Sequence, residues 1–194
     1  MSSDPVSNRM ITNDNISLIG MPGAGKSTLG VLLAKRTSKN FVDTDLLVQE
    51  RASAPLHEII EQHGTDAFRK LERECVLQLE PTGHVIATGG SVVYSDAAME
   101  HLQQLGIIVY LDVPASELEN RIGDLGARGV VREPGEGIAE IQQQRAPLYQ
   151  RWADVRVACE SSDHEDALSA IEAALSQFHA ACSPAKSRTP AAKA

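Results

Sequence analysis

Ile16-Ser17-Leu18-Ile19-Gly20-Met21-Pro22-Gly23-Ala24-Gly25-Lys26-Ser27-Thr28 carries the most specific signal in this chain. An apolar run enters a G-x-x-x-x-G-K-S segment, and residues 27–36 beyond it set Leu29, Leu32 and Leu33 on one helical face. Strand, glycine-rich turn and helix in that order are the setting in which such a segment cradles phosphate, the alternative being a plain glycine-rich turn. Glycines let successive N–H groups turn toward phosphate oxygens, and the helix adds the positive end of its dipole. Gly23, Ala24, Gly25, Lys26, Ser27 and Thr28 are thus expected to bind a nucleoside triphosphate. Lys26 would reach its β- and γ-phosphates, and the Ser27 hydroxyl would ligate Mg²⁺.

Working outward, further apolar runs at 40–43, 84–88, 107–113 and 155–159 read as strands alternating with helical patterns. That alternation predicts an α/β fold with a parallel sheet. One helix is expected over 66–79, with Phe68, Leu71, Cys75 and Leu79 at core spacing. Capping boxes at Ser116/Glu119 and Ser162/Glu165 would open two more, the second carrying Leu168, Ile171, Leu175 and Phe178. Residues 123–137 (GDLGARGVVREPGEG) cannot bury themselves and read as a surface loop or a lid. Residues 1–14 and 180–194 read as disordered tails flanking one domain over 15–179.

The chain has 194 residues with 18 basic and 26 acidic side chains, a net charge of −8 that argues against coating nucleic acid or anionic lipid. No apolar run approaches bilayer-spanning length and no secretory signal opens the chain, so a cytoplasmic location is expected. Cys75, Cys159 and Cys182 are odd in number and widely spaced, which fits a reduced compartment and neither a disulfide framework nor a zinc site. The six histidines share no metal-ligand spacing with cysteines or carboxylates.

The acceptor of the phosphate must be found elsewhere. No Asn-Lys-x-Asp segment is present to read a guanine base, which disfavours a signalling GTPase, and the Asp-Gly-Phe/Tyr-Pro-Arg segment of nucleotide kinases is also missing. Asp43-Thr44-Asp45 falls where the second strand ends, the sheet edge that receives ligands in such folds. One carboxylate can hold the metal through water and the other accept a hydrogen bond from an attacking hydroxyl, unless the segment is only a turn or helix cap. Arg69 and Glu72 are helical i,i+3 neighbours, and Gly89-Gly90-Ser91 offers a turn that another backbone or ligand can approach closely. Arg145 on its own is an ordinary helix charge.

Taken together, GMPGAGKST, Phe41-Val42-Asp43-Thr44-Asp45, Phe68-Arg69-x-x-Glu72, Ala87-Thr88-Gly89-Gly90, Arg128 and Arg145-Ala146-Pro147-Leu148-Tyr149 resemble the shikimate kinase family over residues 15–178. The resemblance implies the adenylate-kinase-like three-layer P-loop sandwich, a five-stranded parallel sheet with helices on both faces and a mobile lid. It implies transfer of the γ-phosphoryl of ATP, with Mg²⁺, to the 3-hydroxyl of shikimate by a monomer. Asp45 would then orient or deprotonate the nucleophile beside Lys26, and Arg69 and Arg145 would clamp the carboxylate. The Gly89 and Gly90 backbone would meet the ring hydroxyls, Asp43 and Ser27 would hold the metal, and Arg128 would close over the nucleotide. Ser91 stands where the family has a third glycine, and Gly129-Val130-Val131 where it has Pro-Leu-Leu. A kinase of another hydroxy acid, homoserine or gluconate, is the alternative, and a catalytically idle nucleotide-binding module the second.

Overall fold

Strand β1 (Asn15–Ile19) is buried along its whole length and β4 (Gly106–Asp112) along all but its last residue. Continuous burial of this kind, which in β1 includes the polar Asn15 and Ser17, marks strands covered on both faces. A computed structural model describes residues 14–122, 130–131, 135–159 and 163–182. With β2 (Asn40–Asp43), β3 (His84–Ala87) and β5 (Val155–Ala158) these strands form one five-stranded sheet in the order β2-β3-β1-β4-β5, every pair parallel. Edge strand β5 alternates buried and exposed residues, as a strand with one wetter face does.

Helix α1 (Lys26–Thr37) packs with α7 (His164–Cys182) on one layer. Helices α3 (Leu56–Leu77), α4 (Asp96–Leu105) and α6 (Ile138–Trp152) build the other, while α2 (Thr44–Ala52) lies on α3 and α5 (Ala115–Arg121) on α6. After β1 the chain moves to one side of the sheet and after β3 to the other, so the switch point lies between β1 and β3. Ligands of open α/β sheets bind in the crevice at that point. Here it is framed by the phosphate loop after β1 and the Gly89-Gly90-Ser91 turn after β3.

Several local expectations change. Within α3, Gly64 at φ 81° and ψ 168° is not helical, so a first helical segment ends there and a second starts just beyond it, close to the expected residue 66. The second stops at Leu77, two residues before the expected end, and the first is an addition. Helix α5 is capped at Pro114, whose carbonyl accepts the Glu117 and Leu118 amides, so Ser116 is inside the helix and the expected capping box does not form. Ser162 lies outside the described residues; Asp163 Oδ1 accepts the Glu165 amide at 2.9 Å. Helix α7 runs to Cys182, past the expected domain end at 179. Of the expected lid, residues 123–129 and 132–134, Arg128 among them, lie outside the described residues, but Val130 and Val131 between them are buried. Val131 joins a small cluster with Val48, Ile59, Phe68 and Cys75 beneath α2 and α3. No described helix is long and apolar enough to cross a membrane.

Candidate active site

The phosphate loop is shaped by glycines where side chains cannot stand. Gly23, at φ +79°, leaves no room for a Cβ, which would lie 2.6 Å from Ile122 Cγ1, and Gly25 precedes α1 at φ +90°. No side chain caps the start of α1 and no acid occupies its first turn, so its first amides remain available to an anion. Lys26 is buried, with Nζ donating to the carbonyls of Gly20 (2.8 Å) and Met21 (2.9 Å). Burial pulls its amine down to about 8, against the opposing pull of Asp45 and Asp43. Ser27 and Thr28 are exposed on the cleft, whereas Ala24 is buried and its N–H donates to Met21.

The acceptor side is assembled from four other elements. Asp43, at the end of β2, accepts the Asp45 amide at 2.9 Å and so caps α2, and this cap fixes where Asp45 stands. Helix α3 supplies Glu72, the turn after β3 supplies Gly90 and Ser91, and α6 supplies Arg145. All four, with Asp45 and the phosphate loop, line one cleft of about 700 Å³, together with Arg121 and His164. Burial raises Asp45 to about 6, with Lys26 opposing, and Glu72 to about 7, with a Ser91 hydrogen bond opposing. A chain of net charge −8 thus holds buried cations and carboxyls together at one point.

The sequence-predicted residues are not all equally placed. Lys26, Ser27, Asp45, Gly90 and Arg145 converge on the cleft, while Asp43 stands just behind it. The Gly89 N–H is already engaged by Thr44 Oγ1 at 3.1 Å, and the Gly90 carbonyl accepts the Tyr149 hydroxyl at 2.5 Å. Arg69 faces an adjoining cavity of about 530 Å³. Its guanidinium carbon lies 4.7 Å from the centre of the Tyr94 ring, and Asp66 is 4.0 Å away. Arg145, 1% exposed, approaches the same ring at 5.3 Å, donates from Nε to the Tyr94 hydroxyl at 3.3 Å and from Nη2 to the Val131 carbonyl. Tyr94, Glu72 and Arg121 were not expected as site residues. The Phe68-Arg69-x-x-Glu72 pattern already contained Glu72, but nothing local in the sequence marks Tyr94.

The shikimate kinase family model matches residues 22–176. A shikimate kinase of Synechococcus sp. is 36% identical over 168 residues, covering 84% of this chain and 85% of that protein. One from Thermosynechococcus vestitus is 38% identical over 152 residues, covering 76% and 82%. The solved shikimate kinase of Acinetobacter baumannii, in complex with shikimate, superposes with a TM-score of 0.79 at 28% identity, covering 86% of this chain and 95% of that one. A phosphate loop facing a carboxyl-and-arginine pocket across one crevice, and relatives matched over most of their length, lead to one conclusion: this chain belongs to the shikimate kinase family.

Proposed function

We propose a division of labour for the reaction this chain catalyses, the ATP-dependent phosphorylation of the shikimate 3-hydroxyl in aromatic amino acid biosynthesis. The observation that carries it is that Lys26 and Ser27 share a single cleft with Asp45 and Arg145. Donor phosphate and acceptor hydroxyl can therefore meet without water between them, and phosphoryl transfer is mostly a matter of such placement and of charge neutralisation. The uncapped amides of α1 and the Lys26 amine hold the β- and γ-phosphates. Anionic phosphates oppose the burial that lowers the Lys26 amine and so hold it protonated.

The residues fit Mg²⁺. The Ser27 hydroxyl and the Asp43 carboxylate, one of whose oxygens is committed to the Asp45 amide, form a sparse set of hard oxygen donors. That suits an ion that keeps several waters and shares the nucleotide phosphates. When bound, Mg²⁺ would neutralise negative charge on the nucleotide phosphates.

Asp45 takes the proton of the attacking hydroxyl. Raised toward 6, it remains ionised at neutral pH and is a stronger base than an ordinary carboxylate. Arg145 and, from across Tyr94, Arg69 receive the acceptor carboxylate, a match of planar fork to planar fork. Gly90 gives the backbone approach to the ring, with Gly89 held behind it by Thr44. Arg128, by family resemblance, closes over the transferring group. One copy of the chain supplies every one of these groups, and the reading makes it a cytoplasmic monomer.

A coupled ADP-release assay with shikimate, homoserine and gluconate side by side tests this reading, with and without Mg²⁺. Turnover with shikimate that disappears without the metal is expected. Faster turnover with either of the others would reassign the acceptor, and none with any would leave only a nucleotide-binding module.

A further inference from the structure

One departure from the family pattern has a partner in the structure. Ser91, buried at 4%, donates its hydroxyl to Glu72 Oε2 at 2.5 Å. The other oxygen, Glu72 Oε1, is buried and bonded to nothing, although the residue is only 2% exposed and lines the cleft. Its location is fixed by Gly89: a Cβ there would collide with Glu72 Oε1 and lie 2.7 Å from Asp45 Oδ1. The free oxygen of Glu72 therefore stands beside the oxygen of Asp45, on the acceptor side of the phosphate loop. A buried acceptor without a donor costs free energy unless a ligand supplies one. Arg69, one helical turn away, is ion-paired with Asp66 rather than with Glu72.

We propose that Ser91 is a positioning residue of the acceptor site, its hydroxyl fixing one oxygen of Glu72 so that the other receives a hydrogen bond from a hydroxyl of the bound acceptor. This rests on the shikimate kinase reading and adds to it the residue that sets the second carboxyl of the pocket. Held by Ser91, Glu72 is kept from turning to Arg69, whose guanidinium stays available to the acceptor carboxylate. The glycine expected at position 91 would leave Glu72 without that tether.

Glu72 faces Lys26 of α1, Asp45 of α2, and Arg145 and Tyr149 of α6, with Arg69 and Cys75 on its own helix. Losing the Ser91 donor removes a contact that favours the ionised form, so Glu72 should then hold its proton to higher pH.

The test is Ser91→Ala, a change small enough to leave the fold intact, measured with shikimate and ATP varied separately from pH 5.5 to 9. The expected result is an acceptor KM raised about tenfold, the scale of one lost hydrogen bond to a charged group, with kcat and the ATP KM within about threefold of the parent. The acid limb of acceptor kcat/KM, to which Glu72 contributes beside Asp45, should also move to higher pH in Ser91→Ala, and that movement should be absent when Glu72→Gln is already in place. An unchanged acceptor KM and unchanged limb in Ser91→Ala would overturn the proposal, as would equal losses for shikimate and ATP. Failure of the parent protein to phosphorylate shikimate would instead overturn the functional reading, a separate result scored before any variant is compared.

Discussion

The two ends of the cleft are built by different means. The nucleotide end is one continuous stretch, 20–28, shaped by glycines, to whose backbone amides and single lysine the proposed function assigns the binding. The acceptor end takes one or two side chains each from α2, α3, α6 and the turn after β3, residues up to a hundred positions apart. A phosphate tail is the same in every nucleoside triphosphate, so its cradle can be a fixed local motif. An acceptor is particular, and its pocket is set by tertiary contacts that can vary while the cradle stays.

If the ends divide the work in this way, variants should split by which substrate they injure. Lys26→Ala should be the most damaging, lowering kcat by about 10³, the scale of a lost group that stabilises developing charge. Its signature is loss of ATP binding by calorimetry together with loss of turnover. Normal affinity for MgATP in that variant would break the assignment of the nucleotide end. Asp45→Asn should follow, with kcat down about 10² and the ATP KM nearly unchanged, because it removes the base without touching the cradle. Full activity would place the base elsewhere.

The pocket should also be visible in stability. Glu72 holds its proton to about 7 in the folded chain, against 4.5 for an ordinary glutamate, because it is buried. Between those values the folded state binds more protons than the unfolded state, so stability falls as pH rises through that window and is unaffected by this group below it. Glu72→Gln should therefore flatten the decline between about pH 4.5 and 7, and be more stable than the parent at pH 8 by on the order of 3 kcal/mol. Urea unfolding at pH 5 and pH 8 checks this; equal slopes in both proteins would show that Glu72 is not strained by its site.

The same contrast explains what could be read before any coordinates. The strands were legible because short runs rich in Ile, Val and Leu mark β1, β3 and β4, and the phosphate loop because its geometry is local. The place of Asp45 after a strand marks it as a candidate, and the cap reading of Asp43 holds, its carboxylate accepting the Asp45 amide. Tyr94 was not legible. Its role comes from α3 and α6 bringing two arginines to one ring, a meeting of residues 69, 94 and 145 that no spacing encodes. Helix α2 was missed as a helix because its nine residues carry little amphipathic pattern, its burial falling on Thr44 and Val48. The helix read from about residue 66 starts just past Gly64, where glycine ends the segment before it; that earlier segment, 56–63, carries no comparable signal in the sequence.

Arg69 gives the finest division. Its i,i+3 relation to Glu72 suggested a pair, but its guanidinium lies over Tyr94 in the neighbouring cavity, with a distant Asp66 as counterion and a third of its side chain in water. Arg145 is buried in the cleft wall and anchored through Tyr94 and Val131. A guanidinium partly open to water, as Arg69 is although its Nε is buried, contributes less to binding a carboxylate than a fully desolvated one, since water screens it. Arg69→Ala should therefore raise the acceptor KM only about tenfold, worth about 1.4 kcal/mol, and leave the ATP KM and kcat nearly as they are. Steady-state kinetics with each substrate varied in turn decides it. A matching rise for ATP would mean that Arg69 supports the whole cleft rather than the acceptor end, and no rise at all would leave the carboxylate to Arg145 alone.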